Sequence, residues 1–419
     1  MSAVPTNDRD LLELAHTSEE RAFAVDALQF LARHATRRTD ATVRWGVGEE
    51  QLALFHESSG EAELAEAEAA RAWQARRWEA GFGWITGPVR HGGRGLTDTF
   101  DSLYRMLEAA FDIVDMNPLR IGLGTVQSCL RHHGNDDQLA EFAVPLMRGD
   151  TIACQLFSEP GAGSDLAGVR TRATRTDGGW RVDGQKVWTS NGNFADIGLA
   201  LVRTDPDVAK HRGLTMMIVP MDTPGVEVRK LRQMTGGASF CEVFLDAVFV
   251  PDRLCIGEPG TGWSVTTNTL AHERRVTGDR SHELVARATE LLWLLACRVH
   301  RDADPLVRDA WARVYTGVRA ARFQQQRMQE TPAEDLTGSE RAMDKLLLVN
   351  NLRAIGDLAR ELLGASFVAD TGAWGTYNWN KWLMGALGYR IAGGTDEVVR
   401  NLLGEQVLGL PREPKPRTT

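Results

Sequence analysis

The chain has 419 residues, enough for about two or three domains of ~150 residues, each with ample core. Its 48 Lys and Arg against 56 Asp and Glu leave a net charge of −8, and no basic run gathers into a stripe, which argues against a nucleic-acid partner. No stretch is long and apolar enough for a membrane span or a signal peptide, so the sequence reads as cytoplasmic. The five cysteines, Cys129, Cys154, Cys241, Cys255 and Cys297, form no Cys-x-x-Cys pair and have no His at metal-ligand spacing. They read as inert buried thiols, with no metal role. The 12 tryptophans read mainly as core.

In chain order, residues 1–17 are a polar lead-in. Phe23, Val25, Leu28, Phe30 and Leu31 predict an amphipathic helix over 18–35. Residues 40–62 read as a loop or insertion, and 63–80 as a long helix. The Gly92 to Gly95 turn interrupts before helical runs at 98–114, 117–134 and 136–148, the last closing on the C-cap signal Arg148-Gly149. From 151 to about 260 the period becomes strand-like. Runs at 169–175 and 179–187 flank a Gly-Gly turn, and 197–202, 214–219, 226–231 and 241–250 follow between Gly, Pro and Asp turns. Helical periodicity returns at Trp263 and persists to 330, then covers 338–364 and 395–407, with the Gly- and Trp-rich segment 364–394 as an interruption. The expected organisation is α+β: a helical domain over 1–150, a small antiparallel β-domain over 151–262 and a helical domain over 263–419.

One stretch carries the chemistry, Cys154-Gln-Leu-Phe-Ser158-Glu159-Pro160-Gly161-Ala162-Gly163-Ser164-Asp165. Its glycines let main chain approach a bulky ligand. It is not a P-loop, because no Lys follows the second glycine, and Leu166 stands where a Rossmann fingerprint needs a third glycine. The second strand run leads into Trp188-Thr189-Ser190-Asn191-Gly192. A loop that caps a β-region in this way faces something flat.

The Ser-Glu-Pro-Gly-Ala-Gly-Ser-Asp stretch, followed by Asp183-Gly-Gln-Lys-Val-Trp188-Thr189-Ser190-Asn191-Gly192, resembles the acyl-CoA dehydrogenase family. Gly92-Gly93-Arg94-Gly95-Leu96 is similar to the family's amino-terminal signature. Gly394-Thr395-Asp396-Glu397 and Val407-Leu408-Gly409-Leu410-Pro411 are similar to its carboxy-terminal one, so the likeness spans nearly the whole chain. The resemblance implies a carboxy-terminal four-helix bundle, FAD between the β-domain and that bundle, and an acyl-CoA substrate packed against the flavin. The implied reaction is α,β-dehydrogenation to a trans-2-enoyl-CoA. A carboxylate in a dry pocket takes the α-proton while donors polarise the thioester carbonyl.

The residue roles follow from the same resemblance. Gln155, Phe157, Ser158, Trp188, Thr189 and Ser190 would hold the flavin from the β-domain; Gly364, Thr395 and Glu397 would approach it from the carboxy-terminal side. Ser164 would line the CoA arm, and Arg274, Gly393 and Gly394 the substrate. Many members take the base from a Tyr-Glu-Gly-Thr motif, but here the stretch reads Ala392-Gly393-Gly394-Thr395, and glycine abstracts nothing. A smaller set places the Glu before an Arg at the start of the bundle, which nominates Glu273 of Leu270-Ala271-His272-Glu273-Arg274. Leu270 and Val276 stand three residues either side of it, and Asp396 and Glu397 are the rival carboxylates.

Two departures fall on the half of the FAD site that a family subunit lends its neighbour. The usual Arg-x-x-Phe-Gly is replaced around Arg298 and Arg301, and Gln-x-x-Gly-Gly reads Glu361-Leu-Leu-Gly364-Ala365. The chain is therefore expected in a homo-oligomer or in a heteromer with a related subunit. Three readings follow: a dehydrogenase passing electrons to an electron-transfer flavoprotein, a flavin oxidase or monooxygenase, and a non-catalytic supporting subunit.

Overall fold

The computed structural model describes residues 8–38, 52, 54–55, 60–331, 338–368 and 376–412. The chain divides into a unit of residues 1–42, 58–232 and 238–269 and a second of 43–57, 233–237 and 270–419.

In the first unit the helix Ser18–His34 starts at a capping box: the Thr17 side chain accepts from Glu20 N at 3.1 Å, and Glu20 Oε2 accepts from Thr17 N at 3.1 Å. Phe23, Phe30 and Leu31 enter a core with Trp73, Phe82 and Tyr104, while Val25 of the expected apolar face points to solvent. The helix Asp98–Glu108 is shorter than its periodicity suggests, because Phe111–Asp112 leaves it to pair antiparallel with Thr36–Arg37.

The expected helix over 117–134 is not continuous. A 3₁₀ turn, Asn117–Leu119, passes into one π-helical stretch, Ile121–Val126, before the α-helix Gln127–His133. Pro118 lacks a donor and Gly122 and Gly124 are poor helix formers, so this segment adopts the wider turn at little added cost. A second π-helical stretch, Leu139–Ala143, splits the 136–148 run.

The strands form an eight-stranded sheet. Its order is Cys255–Ile256, Leu214–Pro220, Ile197–Arg203, Arg172–Thr176, Gly179–Ser190, Phe240–Pro251 and Val226–Leu231, with Ala153–Leu156 also on Ile197–Arg203. The pairing is antiparallel except that Ala153–Leu156 and the first residue of Arg172–Thr176 run parallel to Ile197–Arg203. Six successive residues of both Ile197–Arg203 and Leu214–Pro220 are buried, so this part of the sheet is covered on both faces.

In the second unit Asp304 N-caps a new helix with Pro305 at its first position, which divides the periodic run from Trp263 into Gly262–Arg298 and Pro305–Glu330. The Gly- and Trp-rich interruption contains a helix of its own, Thr376–Tyr389. Trp379 and Trp382 are fully buried there, and Trp382 Nε1 donates to Leu352 O at 2.9 Å. Burial of two indoles outweighs the weak helix propensity of the segment. One apolar cluster is shared by four helices: Leu291 and Leu295, Val307 and Val314, Leu352 and Ile355, and Trp379 and Trp382. No helix among the described residues is long and apolar enough to cross a membrane.

Candidate active site

The Gly179–Ser190 strand positions the candidate site residues of the first unit. Its inward register buries Trp180, Val182 and Lys186. A buried ammonium needs partners, and Lys186 Nζ donates to Glu159 Oε1 at 2.8 Å, Leu201 O at 2.7 Å and Phe157 O at 3.1 Å. Glu159 also accepts from Arg170 N at 2.6 Å and Thr171 N at 2.8 Å. Burial pushes the Lys186 ammonium down to about 8 against the pull of Glu159. Burial alone would raise Glu159, but Lys186 and the amide donors hold its carboxyl below the ordinary value. The two motifs, 27 residues apart at these positions, are thus locked together. Val187 N to Ser158 O at 2.9 Å adds a backbone bond between them.

Past Lys186 the register with Phe240–Pro251 slips, and the irregularity brings the chain to Trp188 with φ +61°. A left-handed tryptophan is a costly backbone state that the surroundings must enforce. It leaves the indole 59% exposed, edge-on to Phe240 at 5.9 Å. Ser158, Gln155 and Ser190 are half-buried, and Phe157 and Thr189 are buried. The Thr189 hydroxyl has no hydrogen-bond partner among the described residues. Asn191, also left-handed at φ +61°, donates Nδ2 to Asn117 O at 3.2 Å and Pro118 O at 3.1 Å. The flat open indole, in the same motif as the half-buried Ser190, suits a planar heteroaromatic ring such as a flavin. Ser164 is exposed on the loop, where Gly161 and Gly163 have open space around them.

In the second unit Gly364, Gly393 and Gly394 all have positive φ, +52°, +64° and +98°. Lys345 binds the Gly394 carbonyl. Thr395 N-caps the helix Asp396–Gln406, its Oγ1 accepting from Val398 N at 3.2 Å. Asp396 is buried and accepts from Arg390 Nε at 2.9 Å, whereas Glu397 is exposed. Arg301 Nη2 contacts Asp304 Oδ2 at 2.6 Å and Glu361 Oε1 at 3.3 Å. Glu273 and Arg274 belong to the helix Gly262–Arg298, but their side chains lie outside the described residues.

The structure therefore gathers Gln155, Phe157, Ser158, Trp188, Thr189 and Ser190 in one unit, and Gly393, Gly394, Thr395 and Glu397 in the other, with Gly364 on a separate turn. Sequence reasoning missed the roles of Glu159, Lys186 and Asn191. The period-2 register that places Lys186 on the apolar face was the available signal. The cysteines are free; burial raises the thiols of Cys129 and Cys255 to about 11 and pushes Cys154 and Cys241 upward. Among the described residues no His, Cys, Asp or Glu cluster could hold a metal ion.

Comparison with known proteins gives a consistent picture. Residues 154–248 match the model of the acyl-CoA dehydrogenase middle domain, and residues 260–408 that of the acyl-CoA dehydrogenase C-terminal domain. Acyl-CoA dehydrogenase FadE34 of Mycobacterium tuberculosis is 38% identical over 73% of this chain, which spans 42% of that protein's length. Acyl-CoA dehydrogenase IpdE1 of the same organism is 36% identical over 80% of this chain and 85% of its own. In structure, the chain is similar to the ChsE4-ChsE5 complex from Mycobacterium tuberculosis, with TM-score 0.71, 24% identity and coverage of 95% of this chain and 99% of that one. It is also similar to the Tcur3481-Tcur3483 steroid ACAD, with TM-score 0.72, 24% identity and coverage of 96% and 100%. These two likenesses establish the fold. Two family models in sequence order and a relative matched over most of both lengths make this chain a member of the acyl-CoA dehydrogenase family, a family of oxidoreductase flavoproteins of lipid metabolism.

Proposed function

We propose that the chain catalyses FAD-dependent α,β-dehydrogenation of an acyl-CoA thioester to a trans-2-enoyl-CoA, with Glu273 taking the α-proton and electrons passing to an electron-transfer flavoprotein. The observation that carries this reading is the exposed Trp188 indole, held in a left-handed backbone state beside a loop that the buried Lys186–Glu159 pair fixes to the same strand. Bound FAD would supply the hydride acceptor. Ser158, Trp188, Thr189 and Ser190 would hold and orient its ring from the β-domain, and Thr395 and Glu397 would approach it from the carboxy-terminal side. Ser164 would meet the CoA arm, and Arg274 with Gly393 and Gly394 would bound the substrate.

The choice of Glu273 is supported by the state of its rivals. Asp396 is buried and its Oδ2 is bound by Arg390, so the carboxylate is paired with a cation that lowers its basicity. Glu397 is exposed and lacks the dry surroundings that strengthen a carboxylate base. In the FAD-loaded protein Glu273→Gln should cut turnover by about 10²–10⁴-fold with the flavin spectrum intact. Undiminished turnover would remove Glu273 from the reaction.

A bulky, cyclic or polycyclic acyl group is supported by the open space around Gly393, where a Cβ would meet nothing within 4 Å. One structural neighbour is itself named a steroid ACAD. Anaerobic bleaching of the flavin by straight, branched and polycyclic acyl-CoA esters would identify the class. A second reading, assembly with a related chain in which this subunit lends little to its neighbour's FAD site, is favoured by Arg301. Its guanidinium is occupied by Asp304 and Glu361 of its own chain.

A further inference from the structure

Gln127 carries a buried polar group that none of the described residues satisfies. The residue is 9% exposed, and its Nε2 has no hydrogen-bond partner among the described residues. A native fold tolerates such a donor chiefly where something else completes it.

The segment that carries Gln127 is fixed to both flavin-side motifs. Asn191 of the Trp188 loop donates to Asn117 O at 3.2 Å and Pro118 O at 3.1 Å. Gly122 lies against the strand that runs into Gln155 and Ser158, since a Cβ there would stand 3.6 Å from the Ala153 Cβ. Between these anchors the chain opens into the π-helical stretch Ile121–Val126, and its closing bond runs from Gln127 N to Gly122 O. π-Helical turns are rare and concentrate at functional sites, because the extra residue re-aims the side chains that follow. Two residues on, the Thr269 side chain lies near the Cys129 thiol and opposes the upward push of burial on it, and Glu273 follows Thr269 by four residues.

We propose that Gln127 determines specificity, its amide hydrogen-bonding a ketone or hydroxyl oxygen that the acyl group carries away from its thioester. This rests on the dehydrogenase reading above and narrows it to an oxygenated acyl-CoA. The amide offers both donor and acceptor, and its terminal torsion is soft, so either oxygen can be met. A hydrocarbon at the same place leaves the amide unpaired. Discrimination of about 10–100-fold between matched esters follows from that difference.

The test uses FAD-loaded protein with cyclohexylacetyl-CoA and its ring-ketone counterpart. The wild type should favour the ketone ester at least about tenfold in kcat/KM. Gln127→Leu should lose that preference through the ketone ester alone, leaving the hydrocarbon ester within about twofold. Equal losses on both esters, or a wild type with no preference, would overturn the proposal. Gln127→Glu, which keeps the shape, guards against misfolding of the first variant: it should lose the ketone ester and retain the ring-hydroxyl ester, and equal treatment of the two would also overturn the proposal. If the wild type oxidises neither ester, the dehydrogenase reading falls by itself. The dissociation constants of the two esters then decide the Gln127 contact: a tenfold gap in the wild type that Gln127→Leu closes supports it, and no gap refutes it.

Discussion

Removing one partner of a buried ion pair leaves the other charged where water cannot reach it. Lys186→Met should therefore cost about 3–5 kcal/mol of stability, read as a lowered urea midpoint, and should reduce flavin content together with it because the loop at Ser158 loses its anchor. The pair also sets a pH dependence. Glu159 is held below its ordinary value in the fold, so between its folded and unfolded values the unfolded chain binds more protons. Stability present at neutral pH is then lost as pH falls through the folded value. Urea unfolding from pH 6 to pH 3 should show this loss, and Glu159→Gln should flatten it. Both residues stood inside recognisable motifs, yet their partnership was not legible. It depends on which face of a strand each occupies and on a contact between positions 27 residues apart.

At the scale of elements, periodicity located the helices and strands but not where they break. The Gly92–Gly95 turn folds back on 84–88, with Arg94 N bonding Trp84 O at 3.1 Å and Gly95 N bonding Gly87 O at 2.8 Å. A Cβ on Gly93 would stand 2.3 Å from the Gly87 carbonyl. Gly93→Ala should lower the thermal midpoint by several degrees, since main chain must move to admit it. Trp382→Ala in the Thr376–Tyr389 helix should cost about 3–5 kcal/mol through the cavity it leaves, measured by denaturant unfolding. That helix was hidden in the sequence because glycine and tryptophan lower local propensity, while the burial that rescues it comes from Leu352 and Ile355 some 30 residues away. The π-helical turn before Gln127 was equally hidden: Gly122 within it packs against Leu146 and Ala153, contacts that apolar spacing cannot report.

At the scale of the whole molecule, the proposed flavin face keeps the motif residues that the family resemblance expects, while Arg301 and Glu361, where the family motifs are altered, engage one another. If it assembles with a related chain, FAD should bind at one per two chains, measured as flavin absorbance against total protein. A full complement in the chain purified alone would exclude that arrangement. Membership of the family and the helix–sheet–helix order were legible in sequence alone, and the motif positions 155–158, 188–190 and 393–397 were nominated there as candidates, because local spacing and motif order record the contacts a chain makes within a few residues of itself. Tertiary structure alone decided the burial of Lys186 against Glu159, the left-handed Trp188, the capture of Asp396 by Arg390 and the unpaired amide of Gln127. Each of these is a balance between desolvation and a partner brought from elsewhere in the fold, and that balance has no local signature.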